Sequence, residues 1–336
     1  MKAILWPYRF KDMDVSWSRQ VRWIVTALQK RGWTVIRHGE FLCAGLEELP
    51  VYNCYKDRDA DLCIYNHADA GELGKNALSA KLNWFFKPTV PDNLHCTLDR
   101  LGYGPFSEPT FNKPDLSAVS DVQVEEFFKT QVAGWVENAC TKYGEAYRGA
   151  KANISQRDYW LVLGQCQGDT VVTRMSFGNH AHKLQQVVGA LLQYSDNPVV
   201  VKLHPYMDGR AAKDDKYSES VQKTLEKLGG RVFVYRGQSN IHQFIRGAKA
   251  VLLENSGAGF EAMMHGKPII CWGWPEYHWT SFALRLLPQL PLALKLDWFN
   301  RTEQDRYLCW YMDHYCIKDE ASTDHRVEEL LKCQSP

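Results

Sequence analysis

Residues 250–279, AVLLENSGAGFEAMMHGKPIICWGWPEYHW, constrain this chain more than any other stretch. Ala250 to Leu253 form a short apolar run, suited to a parallel strand covered on both faces, and Gly266-Lys267-Pro268 turns the chain into a second run, Ile269 to Trp272. Between them, Asn255-Ser256-Gly257-Ala258-Gly259 leads into a predicted helix from Phe260 to His265. Backbone N–H groups at such a helix start lack intrahelical partners, and the helix dipole adds positive potential, so the turn suits a phosphate. Glu261 falls in the first helical turn, where a carboxylate is favoured and can accept hydrogen bonds from ribose hydroxyls. A plain strand-to-helix turn capped by Ser256 explains the same residues. The stretch thus fixes an α/β unit and leaves its chemistry open.

Composition narrows the class. At 336 residues the chain exceeds one hydrophobic core, and two domains of roughly 150 residues are expected. Forty basic and thirty-nine acidic residues leave a net charge of +1, too little for a general attraction to nucleic acid or an anionic membrane. Ten cysteines without a CxxC pair or metal-ligand spacing point to reduced, buried thiols of a cytoplasmic protein rather than a disulfide framework. The apolar run near Met1 is too short for a signal peptide, and no stretch approaches the roughly 20 apolar residues of a membrane span.

Along the chain, Ala3–Trp6, Thr34–Ile36 and Asp61–Tyr65 read as strands, with an amphipathic helix from Trp17 to Arg31 stopped at Gly32. The first turn, Pro7-Tyr8-Arg9-Phe10, lacks a dinucleotide-binding fingerprint. Lys81 to Phe111, rich in aromatics, Pro and Gly, reads as a long ordered loop. Val122 to Tyr147 is mostly helical in pattern, and the polar Arg148 to Arg157 is the predicted boundary. Beyond it, strands at Tyr159–Leu163, Pro198–Leu203 and Arg231–Tyr235 alternate with helices at Lys183–Tyr194, Ser218–Leu228 and Ile241–Gly247. That alternation predicts an open parallel sheet. Residues 205–217 form a charged loop, and helices are expected at Glu303–Tyr315 and Thr323–Leu331.

Ligands of such sheets bind beyond the carboxyl ends of the strands, which selects three loops. The first is Gly164-Gln165-Cys166-Gln167-Gly168-Asp169, in which Asp169 is a candidate reactive carboxylate or a helix cap. The second is Lys202-Leu203-His204-Pro205, where Pro205 stiffens the chain behind His204 and Lys202 adds a cation on the same strand face. The third is the Asn255 turn. Asn179 to Lys183, with His180 and His182, reads either as a site for an anionic sugar group or as a polar helix start. Trp272, Trp274, Tyr277, His278 and Trp279 suit stacking on a base or sugar, or simple packing.

Taken in order, GQxxxD at Gly164 to Asp169, KxHP at Lys202 to Pro205 and NSGxGxEAxxxGKP at Asn255 to Pro268 resemble the bacterial capsule and O-antigen Kdo (3-deoxy-manno-octulosonic acid) transferases of the capsule polysaccharide biosynthesis family. Phe86 to Thr89 and Leu98 to Glu108 look like that family's acceptor-side loop. The resemblance implies a GT-B-like α/β fold of two Rossmann-type domains facing an interdomain cleft. Domains are expected at 1–155 for the acceptor and 156–318 for the CMP-sugar, with a C-terminal helix at 319–336 packing back on the first. It implies a retaining transfer from CMP-Kdo to an oligosaccharide or lipid-linked glycan, in the cytoplasm or at the inner face of its membrane, with no nucleic-acid partner. Asp169 would be the nucleophile, His204 and Ser256 would hold the phosphate, and Glu261 the ribose. Gln165, Lys202, Pro205, Asn255 and Gly257 complete the donor set. Asp99, Arg100, Tyr103 and Ser107 would meet the acceptor, with Glu108 as general base. A CMP leaving group carries one phosphate, so no metal or other cofactor is expected. Related sialyltransferases have a Ser-Ser/Thr pair where this chain has Asn255-Ser256. A UDP-sugar transferase or epimerase, or a non-catalytic polysaccharide-binding protein, remains an alternative.

Overall fold

A computed structural model describes residues 1–6, 15–38, 46–52, 60–66, 83–88, 95–141, 153–175, 178–207 and 216–332. Pro7–Phe10, Thr89, the first half of the polar stretch 148–157, most of the charged loop 205–217, and Cys43, Cys54 and Cys333 lie outside the described residues. The chain divides into two compact units: Met1–Asn112 with Cys309–Pro336, and Lys113–Leu308.

The first unit holds strands β1 (Lys2–Trp6), β2 (Thr34–His38), β3 (Val51–Tyr52), β4 (Leu62–Asn66), β5 (Asn83–Pro88) and β6 (Cys96–Asp99), and it recruits β13 (Cys316–Ile317) from the far end of the chain. Their order is β13-β6-β5-β4-β1-β2-β3, parallel from β5 to β3 and antiparallel where β6 meets β5 and β13. Helix α1 (Val15–Lys30) turns Val21, Ile24, Val25 and Leu28 into the core, following its helical apolar spacing. The C-terminal helix, Glu320–Lys332, adds Val327 and Leu330 to the same core and ties Asp324 to Arg31. The expectation of one long loop over Lys81 to Phe111 is corrected by β5 and β6. Trp84 is fully buried, so this aromatic marks a strand under cover rather than an irregular surface segment.

The second unit is a six-stranded sheet: β7 (Tyr159–Leu163), β8 (Val199–Lys202), β9 (Val232–Tyr235), β10 (Ala248–Leu253), β11 (Ile269–Cys271) and β12 (Phe282–Ala283). The order β12-β11-β10-β7-β8-β9 is parallel throughout. Tyr-Trp-Leu-Val-Leu and Val-Val-Val-Lys are buried at every position, as continuous apolar strands between two helical layers require. The helices of this part of the chain include α2 (Asp121–Phe127), α3 (Ala133–Glu137), α4 (Thr170–Thr173), α5 (His180–Tyr194), α6 (Lys216–Glu226), α7 (Ile241–Arg246), α8 (Ala258–Met264) and α9 (Arg301–Trp310), the last crossing the 308/309 division; α10 is the C-terminal helix named above. The chain runs β7-β8-β9 to one side and returns to β10 on the other flank of β7, so the strand order reverses between β7 and β10.

The division at 112/113 and 308/309 differs from boundaries at 155 and 318. Residues 113–141 join the second unit because their polar groups are satisfied there. Lys113 pairs with Glu303, Asp121 with Arg306, and the carbonyls of Ala139 and Cys140 accept from Asn240 and His242. Composition at 148–157 carries no trace of those distant partners.

Candidate active site

The strand ends at the carboxyl edge of the second sheet are level. Leu163 aligns with Lys202, Val162 with Leu252, Leu253 with Cys271, and Lys202 with Tyr235. The loops after β7, β8 and β10 therefore leave one edge beside the reversal in strand order, where open α/β sheets form a crevice.

In the first loop, a turn from Cys166 to Asp169 delivers Asp169 as the cap of α4, its Oδ1 accepting from the Val171 N–H at 3.3 Å. Asp169 is half-buried. In the second, His204 is half-buried and its Nδ1 accepts from the Tyr206 N–H at 3.1 Å. An acceptor at Nδ1 puts the proton of the neutral ring on Nε2, which makes Nε2–H a donor suited to a phosphate oxygen. Cys166 Sγ lies 3.0 Å from the same Nδ1 and 3.1 Å from the Tyr206 carbonyl. In the third, α8 begins at Ala258, two residues before the expected start, and Ser256 Oγ accepts from the Ala258 N–H at 3.3 Å. Gly257 sits in helical backbone geometry ahead of α8.

Lys202 departs from its expected role. Its ammonium is buried and donates to the carbonyls of Leu203 at 2.7 Å and Gly237 at 2.8 Å, closing the ends of β8 and β9, and burial pulls its pKa down to about 8. A side chain leaving the last residue of a fully covered strand enters the protein rather than the loop mouth. Glu261 is 3% exposed, in the first turn of α8 near Tyr277, whose hydroxyl bonds the Ser256 carbonyl. Gly259 is required there, because a Cβ would stand 2.2 Å from the Tyr277 ring.

A buried network joins the loops. The Gln165 N–H donates to His180 Nε2 at 2.9 Å, His180 Nδ1 bonds Glu254 Oε2, and Lys183 Nζ reaches Glu254 Oε1 at 3.3 Å. Gln165 Oε1 accepts from the Asn255 N–H at 2.7 Å. The Asn255 side chain then donates to the Val171 carbonyl at 3.0 Å and accepts from the Trp274 N–H at 2.7 Å. Asn255 is thus a bracket between loops. Gly273 is needed beside it, since a Cβ would fall 2.2 Å from Asn255 Oδ1. The guanidinium of Arg285 stacks 3.2 Å from the Trp274 ring centroid, and His278 lies between Trp274 and Trp279 with its pKa pulled down to about 4 by burial and by Arg285.

On the first unit, the acceptor-side residues are a scaffold rather than an open surface. Asp99 is fully buried and accepts from the N–H groups of Leu101, Gly102 and Glu108 and from the Tyr315 hydroxyl at 2.6 Å. Tyr103 and Ser107 are buried, with Ser107 Oγ donating to the Gly104 carbonyl at 2.6 Å. Burial keeps these three side chains from an open surface, contrary to the expectation that they meet an acceptor: a Gly- and Pro-bearing loop needs internal partners for its backbone, which Asp99 and Ser107 supply, while Tyr103 packs edge-on against Phe106. Glu108 is held by Arg100 through Oε1 and by Arg326 through Oε2 at 3.3 Å. Both oxygens of the expected base are therefore engaged by guanidinium groups. Arg100, with 37% of its side chain exposed, keeps an accessible edge.

Residues 123–284 match the family described as capsule polysaccharide biosynthesis protein. The matched segment is a little under half of the chain. It lies wholly within the second unit. No curated protein sequence matches the chain. Among solved structures, the β-Kdo 2,4 transferase of KpsC from Thermosulfurimonas dismutans is 15% identical with a TM-score of 0.55, over 94% of this chain and 91% of that one. The β-Kdo 2,7 transferase of the same KpsC is 14% identical with a TM-score of 0.53, over 100% of both chains. The fold is accordingly the GT-B-like α/β class, with a Rossmann-type sheet in each unit.

The second unit thus carries Gln165, Asp169, His204, Pro205, Asn255, Ser256, Gly257 and Glu261 on the loops of one sheet edge or just behind them. Sequence reasoning missed Glu254, and it read His180 as part of a site for an anionic sugar group or of a polar helix start, not as the partner of a buried carboxylate. One signal was available for Glu254: it is a charge placed directly on the end of Ala-Val-Leu-Leu, where only a partnered carboxylate is stable.

Proposed function

We propose that the protein transfers Kdo from CMP-Kdo to a glycan acceptor in surface polysaccharide synthesis, with retention of configuration. One observation carries this reading: a carboxylate loop, an imidazole whose Nε2–H can donate, and a serine turn leave the same sheet edge at the reversal of strand order. A sugar monophosphate ester needs hydrogen-bond donors on its departing phosphate more than a general acid, because the phosphate is a weak base. Asp169 attacks the anomeric carbon as its bond to the CMP phosphate breaks, and CMP leaves as an anion held by His204 Nε2–H and the Ser256 turn. The acceptor hydroxyl then attacks the anomeric carbon on the face that CMP left, the Asp169 carboxylate departs, and the hydroxyl proton passes to the CMP phosphate or to solvent. Two inversions give retention.

The similar solved structures are named as β-Kdo transferases, which supports Kdo as the sugar. In this reading Lys202 stiffens the strand ends behind His204 and Glu108 anchors its loop, so neither touches a reacting atom. The work belongs in the cytoplasm, at the inner membrane face where lipid-linked acceptors are met; among the described residues no helix is long and apolar enough to cross a membrane. Thermal unfolding with CMP, with UDP and without nucleotide tests the donor class. A ligand at 100 times its dissociation constant adds about 2.7 kcal/mol, so CMP should raise Tm by several degrees and UDP should not. Stabilisation by UDP alone would favour the UDP-sugar reading, and stabilisation by neither would favour a binding protein without catalysis.

A further inference from the structure

We infer that the buried pair His180–Glu254 is a positioning device, locking the Asp169 loop to the Asn255–Ser256 turn across the reversal of strand order. His180 is 1% exposed and Glu254 fully buried. His180 opens α5 and Glu254 follows β10, so the pair joins elements far apart in sequence. The tautomer is fixed by its neighbours. Nε2 receives the Gln165 N–H, so it carries no proton, and Nδ1 must donate to Glu254 Oε2. Glu254 in turn is held at Oε1 by Lys183.

Gln165 is used at both ends, its N–H on His180 and its Oε1 under the Asn255 N–H. Through the Asn255 side chain the chain of bonds reaches the Val171 carbonyl in the helix that Asp169 caps, and the Trp274 N–H after β11. The His180 ring also lies near-parallel to Trp272, 6.5 Å away. Three strand-end loops and one helix start are tied by a single network. A buried carboxylate is a poor device for stability alone, since well-packed apolar groups of equal volume serve as well or better. It is explained if the ring must stay in one tautomer, offering an acceptor to a loop N–H that has no strand partner.

The catalytic consequence rests on the Kdo-transferase reading of Asp169, whereas the coupling of the two loops does not. Selective ¹⁵N-histidine labelling of the whole protein should show His180 with an unprotonated Nε2 and a downfield Nδ1 proton; a protonated Nε2 would overturn the inference whatever the donor. His180→Ala should accelerate hydrogen exchange at the Gln165 and Asn255 amides together, and unchanged protection at Asn255 would overturn the coupling. In turnover, His180→Ala should lower kcat by about 10²-fold while the donor KM and CMP affinity stay near wild type, because a shift of about 1 Å at the reacting centre costs that much. Glu254→Gln, which keeps the shape and can still accept from Nδ1–H, should lose about tenfold in kcat and guards against a His180 variant that fails to fold. Wild-type kcat in a folded Glu254→Gln protein would overturn the positioning role. If the wild type binds no CMP, the donor reading fails while the tautomer and exchange measurements still decide the coupling.

Discussion

At Asp169 the carboxylate has a structural task beside the one proposed for it, because it caps α4 by accepting from the Val171 N–H. Asparagine caps helices as well as aspartate does, so Asp169→Asn removes the charge and keeps the local fold. The variant should abolish turnover and retain CMP binding. Incubating the wild-type protein with CMP-Kdo and a poor acceptor should leave a sugar adduct on the peptide containing Asp169, read by intact and peptide mass. An Asp169→Asn protein with normal turnover, or a product of inverted configuration, removes the double displacement. His204 is the second residue at which one group decides a rate. With Nδ1 accepting from the Tyr206 N–H, Nε2–H is the donor proposed for the departing phosphate, and His204→Ala should reduce kcat/KM by roughly 10²-fold or more. Wild-type kinetics in a folded variant would remove His204 from the site.

Helices α7 and α8 are joined by a pair of neutral histidines. His242 Nε2–H donates to the Cys140 carbonyl at 2.8 Å, and its Nδ1 accepts from His265 Nε2–H at 2.8 Å, so His242 cannot take a second proton without losing a bond. Burial comes first among the causes that lower both pKa values, and His265, also facing His242, Arg246, Lys267 and Arg301, is brought down to about 3. The unfolded chain therefore binds these protons at a higher pH than the folded one. Their contribution is fully present above an unfolded value of about 6.5 and is lost progressively as pH falls toward about 3. Thermal melts across that window should show Tm falling. His265→Gln can still donate to His242 without titrating, so it should flatten the decline; a slope identical to wild type would show that the pair does not report on folding. The same bond to Cys140 helps to bring residues 113–141 into the second unit.

For the whole molecule, the proposed chemistry assigns charge neutralisation of the leaving group to His204 and the Ser256 turn. A monophosphate held by such donors needs no bridging divalent ion, so transfer from CMP-Kdo should persist in excess EDTA. Complete loss, restored by Mg²⁺ or Mn²⁺, would move the assignment to a diphosphate-linked donor. The first unit is completed by both ends of the chain. Ile317, Val327 and Leu330 enter the core built by β1, α1 and β4, and β13 pairs with β6.

Strands with continuous apolar runs, Tyr159–Leu163 and Val199–Lys202 among them, were legible without coordinates because a parallel strand is covered on both faces and admits few other sequences. The three loop motifs were legible for a related reason: short spacings of Gly, Asp, His, Pro and Ser restrict the local backbone and its chemistry. What each side chain touches was decided by partners distant in sequence. Lys202 turned onto the Gly237 carbonyl, Asp99 onto Tyr315 and Glu108 onto Arg326, and Asn83–Pro88 became a strand once β4 supplied an edge. His180 and Glu254, 74 residues apart, found each other only when β7 and β10 became neighbours. Local sequence determined strand, turn and helix through backbone preference and burial period; tertiary structure determined which buried polar groups pair across distant parts of the chain, because a group taken out of water must find a partner that its own neighbours do not always supply.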